Sequence, residues 1–264
     1  MKSLSTRMRQ LKRSLRYLKG YVEFDRNGNH VVRRTDFTNA ARPVLLLYGF
    51  MSTRRVLEVV EHRLRRDGFS VWSINLGGLM NAFNTRGIDE SAELVRDKVE
   101  RMYERFPSMG PLSIVGHSKG GLIASYYVKR LGGEKRVNNV VTLGTPFNGS
   151  SSAYWGILSH GLVSRSIWQM TPMSPFIRRL KMGPFPEGVK VTSVYSKDDR
   201  VNSFPSCFLE NPEEQSGIAN VELRGVTHRE FVTNRSVYQV VRKELFSGYG
   251  LEAPAERLPM RRAR

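Results

Sequence analysis

One hexapeptide, Gly116-His117-Ser118-Lys119-Gly120-Gly121, constrains this chain more than any other stretch. It lies between an apolar run, residues 112–115, and a second apolar stretch with helical spacing. A serine held at a strand-to-helix turn of the form G-x-S-x-G is a nucleophile elbow, in which the sharp turn lifts the hydroxyl clear of the sheet edge. Gly116 and Gly120 have a steric purpose there, because side chains two positions either side of the serine would collide across the turn. The pentapeptide alone is a weak pattern. Its meaning depends on whether the chain also supplies an acid, a base and an oxyanion site in the right order.

The surrounding pattern is an alternation. Residues 44–48 read as a buried strand, 54–66 as an amphipathic helix, 69–74 as a strand, 91–106 as a helix, 120–130 as the helix behind the elbow and 137–143 as a strand. After an interruption come a strand over 189–195, a short strand near Val221 and a helix over 229–245. Strands alternating with helices give an α/β fold: a mostly parallel sheet with helices on both faces. The domain runs from 42 to 248. The interruption, about 149–188, is rich in apolar residues but is broken by Ser, Gly and Pro, so it reads as a small helical cap insertion.

Outside the domain the chain is basic. Residues 1–19 carry seven Lys or Arg and no acid, with Leu4, Met8, Leu11, Leu15 and Leu18 at helical spacing. The preferred reading lays those leucines on the domain; the alternative is peripheral contact with an anionic membrane. A hairpin around Asn27-Gly28 completes the segment 1–41. The tail 249–264, rich in Pro, Ala and Arg, is expected to be disordered. With 42 Lys and Arg against 24 Asp and Glu, the formal charge is +18, which favours anionic surroundings without specifying chemistry. The single Cys207 excludes an internal disulfide framework and a Cys-rich zinc site. With no apolar stretch near the eighteen or so residues of a spanning helix, and no apolar block of a secretory signal, the expectation is a cytoplasmic protein, soluble or peripheral to the membrane.

An elbow serine needs a base, and the base needs an orienting acid. In this arrangement acid and then histidine follow the nucleophile along the chain. Of the five histidines only His160 and His228 follow Ser118. His160 falls inside the insertion, whereas His228 lies in a loop between a short strand and the last helix, where the base belongs. For the acid, Asp198 and Asp199 directly follow the strand ending at 195, and either could reach inward. Asp199 is preferred because Arg200-Val201 behind it resembles an acid-x-Val loop, leaving Asp198 to shape the turn. Oxyanion donors are expected from the backbone N–H of Lys119, at a helix N-terminus, and from the loop after residue 48, with Phe50 preferred over Met51.

Taken in order, these blocks resemble the α/β-hydrolase superfamily, and within it the bacterial lipases and esterases with a G-H-S-x-G-G elbow. The resemblance rests on Leu45-Leu46-Leu47-Tyr48-Gly49-Phe50, the elbow, Leu143-Gly144-Thr145-Pro146-Phe147-Asn148-Gly149-Ser150, the acid and histidine loops, and Gln169-Met170-Thr171-Pro172-Met173-Ser174-Pro175-Phe176, which is similar to a lipase cap segment. It implies Ser118 as nucleophile, Asp199 as acid, His228 as base and Phe50 with Lys119 as oxyanion donors, working on a small-molecule or lipid ester through an acyl-enzyme with no metal or organic cofactor. An acyltransferase or amidase would use the same triad, and a non-catalytic membrane- or anion-binding module is the rival of another class; no nucleic acid partner is expected. Two residues depart from the family pattern. Tyr48 stands where His usually precedes Gly, and Lys119 stands where Met, Leu or Gln is usual, its ammonium expected to reach solvent.

Overall fold

All five residues of β1, Pro43–Leu47, are buried, as are all six of β3, Leu112–His117. Strands covered on both faces read as continuous apolar runs rather than alternations, and these two sit inside a six-stranded sheet of order β2-β1-β3-β4-β5-β6. The remaining strands are β2 (Ser70–Ser73), β4 (Val137–Leu143), β5 (Lys190–Tyr195) and β6 (Ile218–Glu222). Every neighbouring pair is parallel. The computed structural model describes residues 36–79, 83–154, 164–210 and 217–254, all within the compact unit Asp36–Arg264. The expected helix over 1–19 and the hairpin at Asn27-Gly28 lie outside the described residues.

The helices are α1 (Glu58–Arg66), entered through a 3-10 turn at Arg54–Leu57, α2 (Ile88–Arg105), α3 (Lys119–Arg130), α4 (Arg165–Gln169), α5 (Pro175–Lys181), α6 (Phe204–Cys207) and α7 (Arg235–Gly248). The chain leaves β1 to one side to make β2, then crosses back over β1 to make β3. With right-handed crossovers, α2 and α3 share one face and α1 takes the other. The two groups are held differently. Helix α2 buries Ile88, Ala92, Val95, Val99 and Tyr103 as one stripe and packs on α3. On the opposite face, Asp67 at the end of α1 accepts hydrogen bonds from the Tyr238 hydroxyl (2.6 Å) and Arg242 Nε (2.7 Å), tying α1 to α7. The reversal of direction between β1 and β3 makes their carboxyl ends the switch point of the sheet, where loops diverge and leave a crevice.

Two expectations are revised. The helix expected over 229–245 is two pieces, a 3-10 turn at Glu230–Val232 and then α7. Asn234 makes the break: its side chain accepts from Ser236 N (2.8 Å) and caps the new helix. The fold also continues past Gly248, since the Tyr249 hydroxyl donates to Pro43 O (2.5 Å) and Leu251 N to Phe246 O (2.9 Å); residues 255–264 lie outside the description. In the insertion, α4 and α5 are short because Pro172 and Pro175 interrupt the run, and Ser174 caps α5 by accepting from Ile177 N (3.1 Å). Among the described residues no helix is long and apolar enough to cross a membrane.

The Asp67 cluster is a local test of this architecture. Asp67→Ala strips a hydroxyl and a guanidinium of their shared acceptor, so the free energy of unfolding in a denaturant titration is expected to fall by about 2 kcal/mol, with the far-UV circular dichroism unchanged. A loss below about 0.5 kcal/mol would show that α7 is held by its apolar stripe alone.

Candidate active site

Ser118 sits between β3 and α3 with φ 54° and ψ −124°, a region that a residue with a side chain occupies only under constraint, at roughly 1–3 kcal/mol. Three bonds hold it there: Ser118 N donates to Leu143 O (2.9 Å), and Ser118 O accepts from Gly121 N (3.0 Å) and the Thr145 hydroxyl (2.9 Å). The flanking glycines are required sterically. A Cβ on Gly116 would lie 2.6 Å from the Gly121 backbone, and one on Gly120 would overlap the carbonyl oxygen of Leu47. Helix α3 therefore presses directly on the ends of β1 and β3.

That pressure brings the loop after β1 beside the serine. A Cβ on Gly49 would stand 3.1 Å from the Cβ of Ser118. Met51, at φ 51°, donates its N–H to Asn84 O (3.3 Å), so that N–H is already engaged within the fold. Asn84 grips the loop at two more points, with Nδ2 donating to Tyr48 O (2.8 Å) and its own N–H to Ser52 O (3.1 Å). The ring of Tyr48 is buried and its hydroxyl accepts from Leu76 N (2.8 Å), which gives the tyrosine in place of histidine an anchor of its own.

Lys119 corrects an expectation. Its side chain does not reach solvent; the residue is fully buried. Nζ donates to Asn84 Oδ1 (2.8 Å), Asn84 O (3.3 Å) and Arg86 O (2.5 Å) and lies 5.9 Å from the centre of the Phe50 ring. The first turn of α3 is covered by the loop before α2, so the shortest route for the stem runs under that loop instead of outward. Burial pulls the ammonium down to about 7, against the opposing fields of Glu90 and Asp89.

At the ends of β5 and β6, His228 Nδ1 donates to Asp199 Oδ2 at 2.7 Å. The other oxygen of Asp199 accepts from Val201 N (2.8 Å) and Asn202 N (3.0 Å), and Asn202 Nδ2 donates to Gly144 O (2.8 Å), so the carboxylate is fixed from both sides. Asp198 faces elsewhere and accepts from Gly225 N (2.7 Å). His228 is joined to the elbow through His117, whose Nε2 donates to His228 O (3.1 Å) and whose ring centre is 4.8 Å from that of His228. Burial pulls His117 down to about 3, so it is neutral and adds no charge beside the His228 ring. The lone Cys207 is buried and its thiol is pushed up to about 12 by burial and by Asp199, which leaves it unreactive.

The fold has counterparts among solved structures. The structure superposes on Aspergillus fumigatus lipase B with a TM-score of 0.67 at 18% identity, covering 84% of this chain and 56% of that one. It matches a mature Bacillus licheniformis lipase at 0.64 with 12% identity, covering 80% and 94%, and a Paleococcus ferrophilus monoacylglycerol lipase at 0.53 with 14% identity, covering 81% and 96%. The chain has the α/β-hydrolase fold. A family profile described as a PGAP1-like alpha/beta domain matches residues 33–159, and no curated protein matches the chain. The profile covers the loop after β1 and the elbow of this α/β-hydrolase fold and ends before the loops of Asp199 and His228.

Sequence reasoning missed three residues of the site: Asn84, His117 and the side chain of Lys119. Asn84 lies in an irregular loop with no periodicity to mark it. His117 is inside the elbow motif, but it precedes Ser118 and so falls outside the order used to find a base. The trace left by Lys119 is its departure from the family pattern.

Lys119 also carries a pH prediction. Its folded pKa is depressed below the unfolded value of about 10.4, so between pH 7 and about 9 the unfolded chain binds more protons than the native one. Stability therefore rises with pH across that window. Lys129, lowered to about 8, acts in the same direction. Denaturant titrations at pH 7 and 9 should show a gain in the wild type that shrinks in Lys119→Met; an equal gain in both would mean that the ammonium is not held as described.

Proposed function

We propose that this chain is a serine carboxylic-ester hydrolase of lipase or esterase type. The observation that carries the reading is the 2.7 Å bond from His228 Nδ1 to a carboxylate that is itself held by two backbone N–H groups, on loops joined through His117 to a serine in an elbow conformation. That bond fixes one tautomer and leaves His228 Nε2 as the basic nitrogen.

In the proposed reaction, Ser118 Oγ attacks the ester carbonyl as His228 Nε2 takes its proton. The tetrahedral oxyanion is met by the N–H groups of Phe50 and Lys119. Collapse expels the alcohol, which takes the proton from His228, and leaves an acyl-serine; a water deprotonated by His228 then releases the carboxylic acid. Asp199 stabilises the imidazolium formed in both halves. Its work is eased by the neutrality of His117, because a second cation 4.8 Å from that ring would oppose the charge.

The inserted segment favours an apolar acyl group. Tyr154, Trp168 and Met173 are exposed on it, and it is tied to the acid loop where the Ser150 hydroxyl donates to Val201 O (3.1 Å). The matched lipases are consistent with such a substrate.

Ser118→Ala is expected to abolish turnover of p-nitrophenyl esters and labelling by a fluorophosphonate, with the melting temperature within a few degrees of wild type. Asp199→Asn, which offers His228 the wrong partner, should cost about 10⁴-fold in kcat, whereas Asp198→Asn should cost less than about tenfold. Turnover that survives in Ser118→Ala, or a wild type that hydrolyses no ester from short to long acyl chains, would sink the reading.

A further inference from the structure

The ammonium of Lys119 is spent on neutral oxygens: two belong to Asn84 and one to Arg86. Burying a cation costs several kcal/mol even after relaxation, and here none of the three acceptors is a carboxylate. The nearby acids Asp89 and Glu90 act on it only through space, and both are ion-paired with Arg165 (3.2 and 3.1 Å). A methionine of similar length would fill the same space without that cost. What the lysine does that a methionine cannot is fix Asn84.

Asn84 in turn is the clamp on the loop after β1. It holds Tyr48 through its amide nitrogen, Ser52 through its backbone N–H and Met51 through its backbone carbonyl. These bonds bracket Phe50 from both sides. With its Oδ1 fixed by Nζ, the Asn84 amide has one orientation, with Nδ2 toward the Tyr48 carbonyl; without Nζ, a flip would bring oxygen against oxygen. The face of the Phe50 ring toward Nζ adds a direct contact with the same loop.

We propose that Lys119 is a positioning residue for the oxyanion site: through Asn84 it locks the loop of residues 48–52 so that the Phe50 N–H is aimed before substrate arrives. This rests on the hydrolase reading above for its catalytic consequence, although the lock itself is a property of the fold. One residue thereby serves the site twice, its backbone N–H as a donor and its side chain as the support of the other donor.

The test compares wild type, Lys119→Met and Asn84→Ala with an ester and the thionoester of the same acyl chain. Sulfur is a weaker acceptor than oxygen, so a thionoester gains less from an aimed N–H. A lost oxyanion donor costs about 10²–10³-fold in kcat, so Lys119→Met is expected to lose about that much on the ester and clearly less on the thionoester, with KM changed less than about threefold. Asn84→Ala should reproduce the selective loss, and the double variant should lose little more than either single one. Amide exchange across residues 48–52, followed by mass spectrometry, should quicken about tenfold in both variants. Equal losses on both substrates, or full ester turnover in Lys119→Met, would overturn the proposal, as would unchanged exchange in the loop. If Lys119→Met does not fold, Asn84→Ala decides by the same readings. If the wild type hydrolyses neither substrate, the hydrolase reading falls, and the exchange measurement still decides whether Lys119 locks the loop.

Discussion

The close approach of α3 to the ends of β1 and β3 is the constraint from which the site follows. A helix that begins immediately after a strand must turn within one residue, and Ser118 takes that turn at φ 54°. The contact between Gly120 and the Leu47 carbonyl leaves no room for a side chain, and relaxing it would move α3 away from β1. The serine would then drop toward an ordinary helix cap and lose its separation from the sheet. The cost of holding the turn is a few kcal/mol at most, small against the burial of two apolar strands and α3 that the same contact makes possible.

Several polar groups near this point hold one another in series. Asp199 is held by the backbone of 201 and 202, and Asn202 by Gly144. His228 is held by Asp199 and, through its carbonyl, by His117. Tyr48 is held at its hydroxyl by Leu76 and at its carbonyl by Asn84. Fixed dipoles of this kind need no reorganisation as charge develops, which is where electrostatic catalysis gains most.

What could be read from the sequence was whatever has a period or an order. The strands over 44–48, 112–115 and 137–143 announce themselves by unbroken apolar runs, and the elbow by glycines whose purpose is steric. The order of Ser118, Asp199 and His228 needs no geometry, and the structure brings Asp199 and His228 into contact. The break at Asn234 was hidden because an apolar helical pattern continues across it, and only the local competition of the Asn side chain for a backbone N–H reveals it. Lys119 was misread for a statistical reason: long charged side chains usually reach water, and a sequence does not show that a loop 35 residues earlier in the chain will lie across the helix start.

Lys119, one of the two departures from the family pattern, and the main-chain carbonyl of Tyr48 meet on one residue. Tyr48 gives its carbonyl to Asn84 and Lys119 gives its ammonium to the same side chain, so each supplies what the other leaves unsatisfied. An amide has a donor end and an acceptor end, and fixing either end sets both. Lys119 alone would hold Asn84 with its Nδ2 idle, and the Tyr48 carbonyl alone would leave the buried Oδ1 short of a donor, at about 1–3 kcal/mol. Together they make one continuous chain of bonds from the start of α3 to the end of β1, the same two elements that the elbow glycines press together. The steric contact sets how far apart these elements stand, and the polar chain sets the shape of the loop that crosses the gap.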